Sequence, residues 1–380
     1  MMNYSFSKYI LFASLFLVAI NSKTFSQVKF AAIGDYGLAG PNELAVANLV
    51  KSWNPDFIIT LGDNNYELGA DSTIDANIGQ YFYEYIYPYK GSYGSGSTVN
   101  RFFPSLGNHD LYTDHGSSYF EYFELPGNER YYDYIHGNVH FFVLNTEPTE
   151  IDGVDENSIQ ANWLKSAMQY SSPQMWKVVY FHHPPYSSGP HGSSSYMRWP
   201  FNEWGAHIVL SGHEHNYERL YADSVTYFIN GLGGKSIYTF LEPIPESIVR
   251  YCENYGAMLI ESFQTELICK FINVEGVLVD SISISDKSLE PPITEYLLQQ
   301  NFPNPFNTLT TIKYQVPFQA NVTLKLYDIL GREVSILVNE QKQAGRYEAR
   351  FTDNNLTSGI YFYTLRAGNY TQTKKMILLK

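Results

Sequence analysis

Cysteine is nearly missing from this chain: Cys252 and Cys269 are the two it has in 380 residues. Two thiols make no disulfide framework, although a single bridge between them stays open in an oxidising compartment, and neither carries a catalytic signature. Positive charge is also scarce. With 25 Lys and Arg against 38 Asp and Glu the net charge is −13, which excludes the basic footprint of a nucleic-acid binder. Long apolar runs are limited to one, residues 9–20, preceded by Lys8 and followed by small and polar residues to Ser26. A dozen residues fall short of the roughly 20 that cross a bilayer. Their layout is that of a secretory signal peptide over residues 1–26, so the chain is expected to be exported. No other stretch could span a membrane as a helix, and no transmembrane helix is expected in the mature chain.

What the chain does have is ample apolar material, 44%, and many aromatics, 33 Tyr and 24 Phe. Its charge is uneven. Residues 301–380 carry 10 Lys and Arg against 5 Asp and Glu, and the first 300 carry 15 against 33. A net +5 beside a net −18 points to two separately evolved units.

The first unit is punctuated by apolar strands that stop at donor residues. Residues 28–33 form a strand ended by Gly34-Asp35-Tyr36-Gly37, and a helix follows over 42–52 with Leu44, Val46, Leu49 and Val50 as its apolar positions. A strand over 56–61 ends in Gly62-Asp63-Asn64-Asn65-Tyr66. Strand, helix, strand at this spacing is a βαβ unit, whose parallel strands place Asp35 and Asp63 at one sheet edge. Residues 70–100, aromatic and then Gly/Ser-rich, read as an insertion that walls the site. A strand over 102–106 ends in Gly107-Asn108-His109-Asp110. A hairpin over 131–144 and a helix over 158–169, with Trp163, Leu164 and Met168 inward, lead to a strand over 176–181 that ends in His182-His183-Pro184-Pro185. The last of the series, 207–211, ends in Gly212-His213-Glu214-His215. Two histidines at i and i+2 of an extended segment project to one side of the chain. Residues 227–229, 257–260, 267–272 and 277–284 alternate as a closing antiparallel sheet.

A Gly-Asp pair after a strand is commonly only a turn. Five strand ends bearing Asp, Asp and Tyr, Asn and His, His, and paired His are poor packing material and good metal donors. These five blocks in this order resemble the calcineurin-like metallophosphoesterases. The Tyr three residues after Asp63 and the Tyr217-Glu218-Arg219 tail resemble their purple acid phosphatase branch, over residues 28 to about 285. The resemblance implies an α/β fold of two mixed β-sheets packed as a sandwich flanked by helices. It also implies a first metal held by Asp35, Asp63, Tyr66 and His215, and a second held by Asp63, Asn108, His182 and His213. A phenolate ligand suits Fe(III), so the implied cofactors are two metal ions, Fe(III) with Fe(II), Zn(II) or Mn(II). The alternative is a stacked tyrosine beside a di-zinc or di-manganese centre. Of His182 and His183, the family pattern selects His182 as ligand. His109 is implied as a catalytic or phosphate-binding group, and His191 as a substrate-side histidine. Asp110 would orient its neighbours, while His115, His136, His140 and His207 carry no motif.

The implied activity is hydrolysis of phosphate monoesters by in-line attack of a metal-bound hydroxide, with a phosphate ester as substrate. A phosphodiesterase or nucleotidase on the same scaffold, or a surface binding protein with a relic site, are the alternatives. The catalytic domain would span 27–287 and a linker 288–299. Residues 300–380 show short strands at 311–314, 322–327, 347–351, 360–365 and 375–379, the pattern of a small all-β sandwich. Their NFPNPFN, YDILGREV, LTSGIYFY and KKMILLK segments are similar to the type A C-terminal sorting domain of the bacterial type IX secretion system. That similarity implies the type IX machinery as partner and a secreted or cell-surface location, at the exterior of a bacterial outer membrane. An adhesive or carbohydrate-binding β-module is the other reading of this segment.

Overall fold

The computed structural model describes residues 27–290, 293–352 and 356–380, so the expected signal peptide (1–26) and Pro291-Pro292 of the expected linker lie outside the described residues. The chain divides into two compact units that meet in sequence between Leu289 and Glu290.

In the first unit, β1 (Val28–Ile33), β2 (Phe57–Thr60) and β3 (Phe102–Pro104) pair in parallel. On the β1 side the same sheet continues antiparallel through β11 (Gly256–Ser262), β12 (Glu266–Asn273) and β13 (Leu278–Ser285). The second sheet begins with the hairpin β4 (Tyr132–His136) and β5 (Val139–Val143). It runs in parallel through β6 (Trp176–Tyr180), β7 (Ile208–Ser211) and β9 (Val225–Asn230). Beyond β9 it closes antiparallel with β8 (Tyr217–Ala222) and β10 (Ser247–Tyr251).

Aromatic side chains hold the two sheets face to face. Phe141 of the second sheet sits edge-on to Phe30 at 5.0 Å and to Phe57 at 5.3 Å, the geometry that ring quadrupoles favour. The far side of the second sheet, with Val179, Phe181 and Val209, is covered by Ala161, Leu164 and Met168 of the helix Ile159–Tyr170. Ser158 caps that helix, its hydroxyl accepting from the Ala161 amide at 3.1 Å. Trp163, expected inward, is partly buried against the same cluster. The α/β sandwich flanked by helices is thus the architecture observed.

Three details differ from the sequence reading. Residues 227–229 belong to β9, inside the second sheet, and not to the antiparallel closure of the first. Every residue of β9 is buried, as a central strand between two neighbours requires. β8 was hidden by its charges, and these are all matched in space. Arg219 Nε donates to Asp280 at 2.7 Å, and Glu218 accepts from the Ser188 amide and hydroxyl at 2.8 and 2.6 Å. In the helix Pro41–Ser52 the buried arc is Glu43, Val46, Ala47 and Val50, spaced i, i+3, i+4, i+7, which leaves Leu44 48% exposed. Glu43 has no hydrogen-bond partner, and burial pushes its carboxyl well above the usual range, toward the neutral form that an apolar site tolerates.

Both cysteines are free thiols, Cys269 being fully buried in β12. Among the described residues no helix is long and apolar enough to cross a membrane.

The second unit is all β. β14 (Leu297–Leu298), β15 (Leu309–Val316) and β18 (Gly345–Thr352) form one antiparallel sheet, and β16 (Ala320–Tyr327), β17 (Glu333–Lys342), β19 (Gly359–Ala367) and β20 (Tyr370–Leu378) form the other. Alternate residues of both, such as Ile312, Leu324, Tyr363 and Met376, share one core. The Asn-Phe-Pro-Asn-Pro-Phe segment is tied to it by polar groups: the Asn301 amide donates to Tyr363 Oη at 2.8 Å, and Asn304 Oδ1 accepts from the Ile377 amide at 2.9 Å. β17 escaped the sequence reading because, as an exposed edge strand, it has no buried alternation.

Phe141 is fully buried where the sheets meet. Phe141→Ala is expected to destabilise the first unit by about 3–5 kcal/mol, read as a lower midpoint in denaturant unfolding.

Candidate metal centre

Parallel strands that end together deliver their following turns to one place. The turns after β1, β2 and β3 in one sheet, and after β6 and β7 in the other, carry the donor residues. Three of them, Asp35, Asp63 and His213, have left-handed backbone (φ 54°, 54° and 70°), a region that Asp and His enter more readily than most residues. Each such residue costs about 1–3 kcal/mol and persists only where its surroundings over-determine it. Two glycines make the approach close. A Cβ on Gly62 would lie 2.5 Å from His182 Nδ1, and one on Gly212 would lie 2.6 Å from Asp35 Oδ2.

Asp63 splits the site into two groups. Its Oδ2 is 2.8 Å from the Tyr66 hydroxyl, which is itself 3.1 Å from Asp35 Oδ1 and 3.3 Å from His215 Nε2. Its Oδ1 is 3.4 Å from His182 Nε2, which lies 3.2 Å from Asn108 Oδ1 and 3.3 Å from His213 Nδ1. All seven residues predicted as metal donors therefore converge, four on each side with Asp63 common to both. Donor atoms about 2.0–2.2 Å from one ion are separated by about 3 Å, which is the spacing seen here.

The hydrogen-bond inventory of the first group favours a cation. One phenolic proton faces two carboxylate oxygens and an imidazole nitrogen, and it can serve one acceptor at a time. In the second group the ring orientation is set from outside. His182 Nδ1 is 2.7 Å from the Leu61 carbonyl, so it carries a proton and the ring turns Nε2 inward, where a metal would replace the Nε2 proton. His215 Nδ1 is likewise engaged, 2.6 Å from Ser236 Oγ, and the Tyr238 ring stacks on the imidazole at 4.1 Å.

The electrostatics carry the same message. Burial raises the Tyr66 phenol well above its ordinary pKa, and the carboxylates of Asp35 and Asp63 raise it further. Only a strong positive charge at that point can hold it as phenolate. Burial alone would raise the Asp63 carboxyl, but the His182 ring, with His109, holds it well below its usual range. Burial draws His182 down, yet Asp63 more than offsets this and leaves it at about 10. His182 is thus the countercharge that Asp63 takes when no metal is bound. His213 is held neutral, by burial first and then by the neighbouring His182 and His183. Among the described residues the donor atoms of Asp35, Asp63 and His182 lie within 4.8 Å of one another, a set that crosses from one group to the other through Asp63.

His109 and His191 stand at the rim. The His109 amide donates to Asp63 Oδ1 at 2.9 Å, its Nδ1 is 2.6 Å from the Glu67 carbonyl oxygen, and its ring lies 4.4 Å from that of Tyr66. His191 Nδ1 is 3.4 Å from Glu214 Oε2, and its ring lies 4.5 Å from that of His213. His183 points away, with Nδ1 2.9 Å from Thr146 Oγ1, and burial followed by the His182 charge pushes its pKa down to about 3. His140, paired with Asp133 and Ser171, and His207, paired with the Lys177 amide and Asp286, stand outside this cluster. Sequence reasoning missed Lys235, whose Nζ lies 4.8 Å from the Tyr66 ring centroid, and also Ser236 and Tyr238. The available signal was the glycine run Gly231–Gly234 after β9, a strand end without metal-type donors.

Residues 28–217 match the calcineurin-like phosphoesterase family, and residues 300–379 match the secretion system C-terminal sorting domain. Purple acid phosphatase 17 of Arabidopsis thaliana is 24% identical over 292 residues, covering 68% of this chain and 84% of that protein. Among solved structures, purple acid phosphatase PPD1 from yellow lupin (Lupinus luteus) seeds superposes with a TM-score of 0.59 at 17% identity. The match covers 69% of this chain and 55% of that one. GAP50, described as the anchor in the inner membrane complex of Plasmodium, gives a TM-score of 0.55 at 19% identity, over 69% of this chain and 90% of that one. At such identities the structural likeness speaks for the fold alone.

Asp110 ties the turn after β3 to the turn after β2. Its carboxylate accepts from the amides of Gly107 and Asn64, both at 2.9 Å, and from Asn64 Nδ2 at 2.8 Å. Asp110→Ala leaves three buried donors unpaired and is expected to cost about 3 kcal/mol or more, measurable as a lowered melting temperature even without metal.

Proposed function

The chain belongs to the calcineurin-like phosphoesterase family, and on that premise we propose that it is an exported phosphomonoesterase working with two metal ions. The observation that carries the reading is the division of seven donors into two groups of four around the shared carboxylate of Asp63. Asp35, Asp63, Tyr66 and His215 would hold one ion, and Asp63, Asn108, His182 and His213 the other. The buried phenol of Tyr66 favours Fe(III) in the first place, with Fe(II), Zn(II) or Mn(II) in the second. When bound, such a pair supplies Lewis acidity toward the phosphate and activates water at ordinary pH.

The protein's own groups do the rest. With Nδ1 turned to the Glu67 carbonyl, His109 leaves Nε2 on the Asp63 side, where it can hand a proton to the departing alkoxide. His191, steadied by Glu214, binds a phosphate oxygen from the opposite rim. Burial of Asp35, Asp63, Tyr66, His182 and His215 keeps water from competing inside the donor cage. The sorting domain marks the chain as a type IX secretion substrate. In this reading an N-terminal signal peptide over 1–26 starts the route, and the C-terminal unit is removed as the enzyme reaches the outer-membrane exterior.

Metal-loaded protein should hydrolyse p-nitrophenyl phosphate faster than its bis-ester and show a visible tyrosinate-to-iron absorption. Asp63→Ala should lose both metals, read by elemental analysis, together with activity. Tyr66→Phe should lose the visible band. His109→Ala should keep its metals and lose about 10²–10⁴-fold in kcat. Purified protein that takes up no metal would instead identify a binding protein with a relic site, and a faster bis-ester rate a phosphodiesterase.

A further inference from the structure

A cavity of about 440 Å³ has Leu106, Leu111, Phe120 and Ile151 in its lining, with Arg130 and Glu150 beside them. Its position links it to the metal centre on two sides. Leu106 lies two residues before Asn108, and Leu111 two residues after His109. The opposite wall belongs to segment 145–151, whose Thr146 hydroxyl lies 2.9 Å from His183 Nδ1, and the His183 ring is 4.3 Å from that of His213. Two of the lining segments therefore adjoin the donor cluster, one in sequence at Asn108 and one through His183.

The lining has a definite chemistry. Its apolar side chains range from buried Leu106 to Ile151, which is 82% exposed. Tyr112, whose hydroxyl accepts from Asn108 Nδ2 at 2.8 Å, also leaves its ring in solvent, 57% exposed. Of the polar lining groups, which also include His115 and Thr149, three have used one another. Arg130 is paired with Glu150 and, at 2.6 Å, with Asp152, and Asn145 Nδ2 donates to Glu150. Two carboxylates thus already neutralise the guanidinium charge, which weakens its pull on a further anion. A volume of this size, apolar and beside convergent polar groups, suits a small organic ligand. The net −18 of the first 300 residues further disfavours polyanions.

We propose that this cavity receives the organic part of the phosphate ester. The preferred substrates are then monophosphates of apolar alcohols or phenols, and not sugar phosphates or polyphosphates. The assignment rests on the phosphomonoesterase reading.

Non-hydrolysable phosphonates separate the cavity from the metal centre without requiring turnover. Calorimetric titration of the metal-loaded protein should find benzylphosphonate bound about tenfold or more tightly than methylphosphonate. Thr149→Trp, which fills the cavity at an exposed lining position, and Ile151→Asp, which charges it, should bring benzylphosphonate to within about threefold of methylphosphonate. Affinity for methylphosphonate and inorganic phosphate should stay unchanged in both variants. Equal wild-type affinities, or a benzyl preference that survives both substitutions, overturns the cavity's assignment and leaves the phosphoesterase reading standing. Failure of both phosphonates to bind removes that reading and the assignment with it.

Discussion

One carboxylate organises the first unit. Asp63 is buried, sits on left-handed backbone at the end of a central strand, and turns one oxygen to Tyr66 and the other to His182. An ionised group in that position is unfavourable unless positive charge surrounds it. Without metal, the His182 ring and the His109 amide supply what there is. The rest of the arrangement follows from keeping this one side chain in place. Gly62 clears room for the imidazole, the Leu61 carbonyl fixes its tautomer, and Asp110 binds the neighbouring turns into one piece.

The fold supplies that place at low entropic cost. Five turns at the ends of parallel strands are fixed by sheets whose shared aromatic core excludes water, so the donors are preset before any ion arrives. The strain of three left-handed residues is carried by two full sheets. This is the usual division between a rigid scaffold and a strained functional edge.

Much of this was legible in the sequence because buried parallel strands read as largely apolar runs that stop at glycine or, after 176–181, at paired histidines. The runs at 28–33, 56–61, 102–106, 176–181 and 207–211 each overlap a strand of the structure, and the residues after them meet. The sequence reading failed where burial is bought with pairing. β8 carries Glu218 and Arg219, whose partners Ser188 and Asp280 are distant in the chain, so its charges resembled a loop. In the helix Pro41–Ser52, Val46 and Val50 face inward as read, but buried Glu43 occupies a place that periodicity gives to an apolar residue, and Leu44 is left outside. Glu214 and Lys235 stayed hidden for another reason. Glu214 contacts His191 at the rim and Lys235 lies over the ring of the donor Tyr66, and side chains of that kind have no spacing rule.

Charge explains how an acidic protein can recognise an anion. At long range the first 300 residues, with more than twice as many acidic as basic side chains, repel phosphate esters. That repulsion is screened within about 8–10 Å at physiological salt. Inside the donor cage, water is excluded and the local charge decides. The same contrast sorts ligands by their remaining part. A second anionic group would meet the acidic field of the protein, in which the Arg130 charge is already neutralised by Glu150 and Asp152. An apolar group meets Leu106, Leu111 and Phe120 and gains by leaving water. On the proposed assignment, burial of the ester's organic part is what would discriminate among substrates.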